Sequence, residues 1–233
     1  MKEKSVAIVL AGGEGVRMDA DIPKQFIRLA GKPVIIHTLK RFEESPFISD
    51  IVVVCHKGHI DTLSRMIENN GICKISGIFS GGKKRQESSY IGVKNCPGDT
   101  EFVLIHDAVR PFITSQMIED TLSAAKEVGA AGVAIDIDDT IIVQKNDFIK
   151  EIPVRDDLKR IQTPQGFRYQ TIIQAHQWAL DNGITGSTDD CGLVLAMGGD
   201  VKIVEGAACN IKLTDRTDLL IAEQFIKSGK AAD

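Results

Sequence analysis

The chain has 233 residues, 43% of them hydrophobic and 26% charged, which is enough to bury one sizeable α/β core. Its formal charge of −4 argues against a general nucleic-acid binder. No run of about 18 apolar residues predicts a membrane span. Five cysteines form no CxxC pair, which indicates a reducing cytoplasm in which most of the thiols serve as apolar fillers.

Val- and Ile-rich runs alternate with amphipathic stretches along the chain. The predicted strands are, in chain order, SVAIVL, DIVVVC, ISGIF, EFVLIH, GVAIDI and DVKIVE. Continuous apolar character indicates strands covered on both faces, as in a mostly parallel sheet. We therefore predict a single α/β domain over residues 1–233, a three-layer α/β/α sandwich with a Rossmann-like sheet.

Two helices are predicted in detail. Residues 114–128 place apolar side chains on one helical stripe. A last helix is expected to follow Thr214 as its N-cap, with Asp215 in the first turn. Its inward face is predicted to carry Leu219, Ala222 and Ile226.

Residues 138–155, DDTIIVQKNDFIKEIPVR, interrupt this rhythm with two short strands around QKND and no helix between them. An isolated two-stranded hairpin is not stable in water, so its apolar residues need a cover. The hairpin either folds onto its own core or forms an arm that covers a second copy of the chain. The second reading predicts a homodimer.

The first strand runs into LAGGEGVRMDADIPKQF, residues 10–26. In open α/β sheets, ligands lie beyond the carboxyl ends of the strands, and glycines there let backbone N–H groups approach anionic oxygens. The loop matches neither GxGxxG nor GxxxxGK[ST]. Its glycines alone could form a tight turn. Arg17 and Lys24 are not needed for a turn, but two cations suit a polyphosphate.

This loop resembles the signature of nucleotidyltransferases that activate alcohols, and PKQ is typical of the CTP-using branch. Further matches follow in order and together span nearly the whole chain: SGGKKRQESS (80–89), VLIHDAVRP (103–111), DDT (138–140), RIQTPQGFR (160–168), TDD (188–190) and NIKLTDRTDL (210–219). The chain resembles the 2-C-methyl-D-erythritol 4-phosphate cytidylyltransferases and their relatives, the ribitol-5-phosphate cytidylyltransferases.

The resemblance implies that a sugar-alcohol phosphate oxygen attacks the α-phosphorus of CTP and that pyrophosphate leaves in line. Charge stabilisation and positioning would supply most of the catalysis. The implied catalytic residues are Arg17, Lys24, Arg155 and Lys212. The nucleotide would be held by Ala11, Gly12, Gly13 and Gly15, and its base and ribose by Gly82, Arg85 and Ser88. For the last group two alternatives remain: KKR could be a solvated charge run, and Ser88 a helix cap.

Asp107 ends the strand FVLIH, where a carboxylate facing a triphosphate needs an intervening cation. Mg²⁺, held by one or two carboxylates and phosphate oxygens, is the predicted cofactor, although Asp107 could instead cap the following turn. The arm reading assigns Thr140 and Arg155, which flank the hairpin, to the neighbouring subunit's pocket, with Arg110 as a further candidate. The resemblance implies that the alcohol phosphate is bound by Arg110, Thr140, Arg155, Thr163 and Lys212. Lys212 lies near a probable strand end, or could be a plain exposed lysine.

The identity of the acceptor alcohol is less strongly marked. Three positions depart from the pattern that is common in methylerythritol enzymes: Leu10-Ala11-Gly12-Gly13, Val109 and Cys191-Gly192. Three other segments fit that pattern: GVAIDIDDTI, TDD and VEGAACNIKLT. We predict methylerythritol phosphate, with ribitol 5-phosphate as the alternative. An alternative of another class is a non-catalytic nucleotide sensor, which would not need the whole set Arg17, Lys24, Asp107 and Lys212. The HKGH sequence at 56–59 is interpreted as a surface loop rather than a metal site.

Overall fold

The structure is a computed structural model that describes residues 3–13 and 22–229. Within these residues the strands are β1 (Ser5–Ala11), β2 (Arg28–Leu29), β3 (Lys32–Pro33), β4 (Asp50–Cys55), β5 (Ile75–Ser80), β6 (Phe102–Asp107), β7 (Ala130–Asp136), β8 (Val143–Lys145), β9 (Phe148–Glu151), β10 (Lys159–Arg168) and β11 (Lys202–Glu205). The α-helices are α1 (Val34–Glu44), α2 (Ile60–Asn69), α3 (Arg85–Lys94), α4 (Ser115–Val128), α5 (Tyr169–Asp181), α6 (Cys191–Ala196) and α7 (Arg216–Lys227).

Seven strands form the central sheet in the order β11-β7-β10-β6-β1-β4-β5. Every pair is parallel except those of β10, which runs antiparallel to both β6 and β7. All six predicted strands are confirmed. Strand β10 was not predicted as a strand, because Gln162, Thr163, Pro164 and Gln165 interrupt its apolar pattern. The side chains of Gln162, Thr163 and Gln165 are nonetheless buried, and they hydrogen-bond to backbone groups of Ala207, Asp107 and Asp190, respectively.

Side chains of the central strands alternate between two apolar layers. On β1, Ala7 and Val9 pack with α1, α2 and α4, whereas Val6 and Ile8 pack with α3, α5 and α6. A smaller cluster joins α7 to the loop after β6 through Val109, and it includes the buried Ala222. The predicted three-layer sandwich is confirmed. No helix among the described residues has the length and apolarity that a membrane crossing requires.

The predicted helix at 114–128 is confirmed as α4, with Thr114 Oγ1 accepting a hydrogen bond from Met117 N at 3.1 Å. The predicted N-cap of the last helix was wrong. Asp215 caps α7 by accepting from Asp218 N, and Asp218 accepts from Asp215 N in return. The hydroxyl of Thr214 donates to the carboxylate of Asp218 at 2.6 Å, which commits this side chain elsewhere.

The interruption at 138–155 is a β-hairpin, as predicted, and we call these residues the arm. Strands β8 and β9 pair antiparallel around Asn146 and Asp147, whose φ angles are 51° and 62°. Positive φ at both central residues is what a tight hairpin turn needs. Phe148 is 69% exposed, so the interpretation that the arm folds onto its own core was wrong. The other large apolar side chains exposed on the arm are Ile141, Ile142, Val143, Ile149, Ile152 and Val154.

Candidate active site

The segments that follow β1, β4, β5 and β6 meet at the carboxyl edge of the sheet and enclose a cleft of about 990 Å³. This is where open α/β sheets bind ligands. Of its described lining residues, six are Lys or Arg and two are acidic: Lys24, Lys57, Lys83, Lys84, Arg85 and Lys212 against Glu87 and Asp107. The surplus of cations suits a polyanionic ligand.

Most of the residues predicted from the resemblance lie together in this cleft. Those that line it are Ala11, Gly12, Gly13, Lys24, Gly82, Arg85, Ser88, Asp107 and Lys212. Arg110 lies beside it and contacts Asp107. Arg17 and Gly15 are outside the described residues. The cleft therefore unites the predicted nucleotide-binding residues that the structure describes.

The loop before α3 is closely packed at its glycines. A Cβ built on Gly82 would lie 2.4 Å from Glu87 Cβ, so only glycine fits without displacing that side chain. Ser88 Oγ accepts from Gly82 N at 3.2 Å, and the Glu87 carboxylate accepts from Lys83 N at 2.7 Å. Ser88 is therefore not a helix cap, as Lys84 occupies that position of α3. Its hydroxyl ties the glycine loop to the helix.

Asp107 is the centre of charge on the cleft floor. Lys212 Nζ lies 2.8 Å from Oδ2, Arg85 Nε 3.6 Å from Oδ1, and Arg110 Nε 3.8 Å from Oδ2. Burial opposes ionisation of this carboxyl, but the attraction of Lys212 and Arg85 outweighs it and lowers the pKa of Asp107. Asp107 is thus a carboxylate held by cations rather than a turn cap.

Lys212 was expected near a strand end, and this was wrong. It lies in the loop between β11 and α7, where no ladder hydrogen bonds hold the backbone. The next residue, Leu213, is 1% exposed and its N–H donates to Val109 O at 2.9 Å. This anchor aims Lys212 at Asp107, which agrees with a role in the site and not with a plain exposed lysine.

Thr163 lies behind Asp107 and does not line the cleft. Its hydroxyl accepts from Asp107 N at 3.1 Å and is hydrogen-bonded to His106 Nδ1 at 3.1 Å. Burial lowers the pKa of His106 to about 4, so this imidazole is neutral. Arg110 is likewise outside the lining of the cleft: its Nη1 donates to Asn210 O at 2.8 Å, while its Nε faces Asp107 at 3.8 Å. Both predicted substrate residues support the floor of the site in this structure.

Thr140 and Arg155 lie in the arm, are exposed, and do not line the cleft of their own chain. Arg155 Nη1 donates to Asp138 O at 3.2 Å across the base of the arm. A site that uses these two residues must therefore take them from another copy of the chain or from a different conformation.

Sequence reasoning missed two contributors to the site. It interpreted HKGH as a surface loop, but His56 and Lys57 line the cleft. The signal was available, because this loop follows β4, the parallel neighbour of β1. It also used TDD only as a matching motif. Asp190 is fully buried and accepts from Arg85 Nη1 at 2.7 Å, a pairing across 105 residues that no local pattern reveals.

A mostly parallel sheet with a glycine-lined, cationic cleft at its carboxyl edge is typical of α/β proteins that bind nucleotides or other phosphorylated ligands. Residues 5–228 match the sequence profile of the family IspD, 2-C-methyl-D-erythritol 4-phosphate cytidylyltransferase. The chain belongs to this family.

Individual relatives agree over nearly full length. The chain is 43% identical to the 2-C-methyl-D-erythritol 4-phosphate cytidylyltransferase of Clostridium perfringens, covering 96% of this chain and 99% of the relative. It is 39% identical to that of Alkaliphilus oremlandii, covering 97% of both. A crystal structure of 4-diphosphocytidyl-2C-methyl-D-erythritol synthase from Anaerococcus prevotii superposes with a TM-score of 0.86 at 28% identity, covering 97% of both chains. These relatives favour the methylerythritol branch over the ribitol one, and an enzyme over a sensor.

Proposed function

We propose that this chain transfers CMP from CTP to 2-C-methyl-D-erythritol 4-phosphate, forming 4-diphosphocytidyl-2-C-methyl-D-erythritol and pyrophosphate. The observation that carries the proposal is the cationic cleft, in which Lys24, Arg85 and Lys212 converge beside two glycine loops. Its relatives at about 40% identity carry this activity in their names. The five cysteines are unpaired, which supports the cytoplasm as the compartment.

In the proposed reaction an acceptor phosphate oxygen forms a bond to the α-phosphorus of CTP. The bond from that phosphorus to the oxygen that bridges it to the β-phosphorus breaks, and pyrophosphate leaves. The protein's part is to hold the two phosphates in line and to stabilise the charge that develops. Lys24 and Lys212 supply ammonium groups in the cleft, and Gly12 and Gly13 after β1 line the same space. Arg17, which the resemblance places at the triphosphate, lies outside the described residues.

Mg²⁺ fits this site as an ion shared between a protein carboxylate and the phosphate oxygens of the substrate. Among the described residues no group of three His, Cys, Asp or Glu could hold a metal alone. Asp107 offers one ionised carboxylate on the cleft floor, and Mg²⁺ commonly takes one or two carboxylates together with substrate phosphate oxygens. When bound, the ion would neutralise triphosphate charge. Lys212 already lies 2.8 Å from Asp107 and holds the carboxylate in place.

We assign the arm to a homodimer contact. Its side chains Phe148, Ile149 and Val154 are each more than 60% exposed, and such a patch is typical of an interface. Thr140 and Arg155 lie in the arm but outside the cleft of their own chain. Delivery of these two residues to a neighbouring cleft would give them the acceptor-binding role that the resemblance implies.

Pyrophosphate release tests the proposed reaction. Protein, CTP and Mg²⁺ are mixed with methylerythritol 4-phosphate, with ribitol 5-phosphate, or with neither. We expect release with the first acceptor at a kcat/KM well above that with the second, and none without an acceptor. A higher kcat/KM with ribitol 5-phosphate would transfer the assignment to the other branch. CTP binding without release under any condition would support a nucleotide sensor.

A further inference from the structure

A buried polar cluster lies behind Arg85, on the side away from the cleft. Asp190, Ser89 and His176 are each no more than 1% exposed. Ser89 Oγ donates to Asp190 Oδ1 at 2.5 Å, and His176 Nε2 lies 3.3 Å from the same hydroxyl. The other carboxylate oxygen, Asp190 Oδ2, accepts from Arg85 Nη1 at 2.7 Å.

Serine, histidine and aspartate together can form a nucleophilic relay, but this arrangement cannot. The single O–H of Ser89 donates its hydrogen bond to Asp190, so the neutral His176 must donate to Ser89 Oγ rather than accept from it. Burial lowers the pKa of His176, which agrees with a neutral ring. Since all three side chains are buried, no substrate reaches them. The cluster can influence the cleft through Arg85, a cleft residue that Asp190 contacts directly.

Arg85 is held between two carboxylates. Nη1 is bound by Asp190 in the interior, and Nε faces Asp107 at 3.6 Å on the cleft floor. Burial opposes the charge, but the attraction of Asp190 and Asp107 outweighs it and raises the pKa of Arg85. Asp190 is itself fixed, because its N–H donates to Gln165 Oε1 on β10 at 2.9 Å. The guanidinium is thereby set at a fixed depth in the cleft wall.

We propose that Asp190, supported by Ser89, is a positioning residue that orients the Arg85 guanidinium for the nucleotide and for Asp107. The inference rests on the proposed function. Without the Asp190 charge, Asp107 is the main remaining attraction on the guanidinium and Asp189 a weaker one, so Arg85 would shift toward the cleft floor and lose its alignment. A displacement of about 1 Å near reacting groups can cost on the order of 10²-fold in rate.

A double-mutant cycle tests this role, with steady-state kcat/KM for CTP as the readout. The variants are Asp190→Asn, Arg85→Met and the double variant, each assayed at saturating methylerythritol 4-phosphate. We expect Asp190→Asn to lose on the order of 10²-fold in kcat/KM for CTP. A second series, with CTP saturating and the acceptor varied, should give an unchanged KM for the acceptor. The double variant should lose no more than Arg85→Met alone, because Asp190 acts through Arg85. Asp181→Asn, an exposed carboxylate on α5, is the matched control and should behave as wild type.

Multiplicative losses in the double variant would overturn the inference, as would an Asp190→Asn enzyme with wild-type kcat/KM. In either case an active wild type leaves the proposed function intact. An inactive wild type would overturn both. If Asp190→Asn does not fold, Ser89→Ala replaces it in the cycle, since it removes one donor to Asp190 and leaves the ion pair with Arg85. Ser89→Ala should cause a smaller loss of kcat/KM for CTP, and no further loss when it is added to Arg85→Met. A further loss in that double variant would refute the role.

Discussion

Asp107 and Lys212 form the pair of side chains on which the charge balance of the cleft floor depends, with Nζ and Oδ2 2.8 Å apart. We predict that Lys212→Met lowers kcat/KM by on the order of 10²-fold or more, as for the loss of other preorganised donors. Lys202→Met is the matched control. Lys202 pairs with Glu127 and does not line the cleft, so its removal should leave steady-state kinetics unchanged. Equal activity of the two variants would contradict the role of Lys212.

Gly82 makes a second prediction at the residue scale. A Cβ there would lie 2.4 Å from Glu87 Cβ, so Gly82→Ala must displace the side chain that holds Lys83 N. We expect calorimetry to show weakened CTP binding with an unchanged melting temperature, since the loop is at the surface. Gly98→Ala meets no atom within 4 Å and is the control. Wild-type CTP affinity in Gly82→Ala would show that this loop does not shape the nucleotide site.

At the residue scale, the sequence predicted which residues line the cleft, but it did not predict which side chains hold them by hydrogen bonds and ion pairs. Lys24, Asp107 and Lys212 are marked by motifs that follow strands or match a family signature. The partners of Asp190 and Thr163 are not marked, because each contact joins segments far apart in the chain. Asp190 meets Arg85 across 105 residues, and Asp107 N meets Thr163 Oγ1 across 56. Only the folded sheet brings those segments together.

At the scale of elements, the arm has apolar side chains that its own chain does not cover. We predict that Phe148→Asp combined with Ile149→Asp converts a dimer to a monomer in sedimentation at micromolar concentration, because charges replace side chains that are 69% and 61% exposed. The monomer should also lose activity, since Thr140 and Arg155 would no longer reach a neighbouring cleft.

Leu220→Asp is the control for the arm variant. Leu220 is 64% exposed on α7, so it matches the arm residues in exposure but lies in another element. It should leave the sedimentation coefficient unchanged. A wild type that is monomeric and fully active, or an arm variant that keeps full activity as a monomer, would refute the shared site.

Elements with an uninterrupted pattern were predictable, and those with a mixed pattern were not. The six apolar strands and α4 follow from periodicity and capping. Strand β10 was not predicted because glutamines such as Gln162 and Gln165 are typical of exposed loops. Their burial is explained only by hydrogen-bond partners elsewhere in the fold. The hairpin was recognised from its turn, but its cover could not be deduced, since local patterning does not distinguish a chain's own core from a second copy.

For the molecule as a whole, buried histidines predict acid sensitivity. Burial lowers the pKa of His176, whereas an unfolded histidine titrates near 6.5. As the pH falls from 7 to 5, His176 becomes protonated in the unfolded chain but stays neutral in the native protein. The free energy of unfolding therefore decreases. Urea unfolding at both pH values should therefore show a smaller decrease for His176→Gln than for wild type. His37 and His106, whose pKa values are also lowered by burial, contribute to the decrease that remains. An unchanged decrease in the variant would contradict this account.

Central to this account, one cleft at the sheet edge transfers CMP from CTP to a sugar-alcohol phosphate and releases pyrophosphate. ³¹P NMR of protein, CTP, Mg²⁺ and methylerythritol 4-phosphate tests it most directly, because both products are seen in one spectrum. We predict that CTP is replaced by pyrophosphate and a cytidyl diphosphoryl adduct in equal amounts. Formation of CMP or CDP without the adduct, or a spectrum that does not change, would contradict the claim.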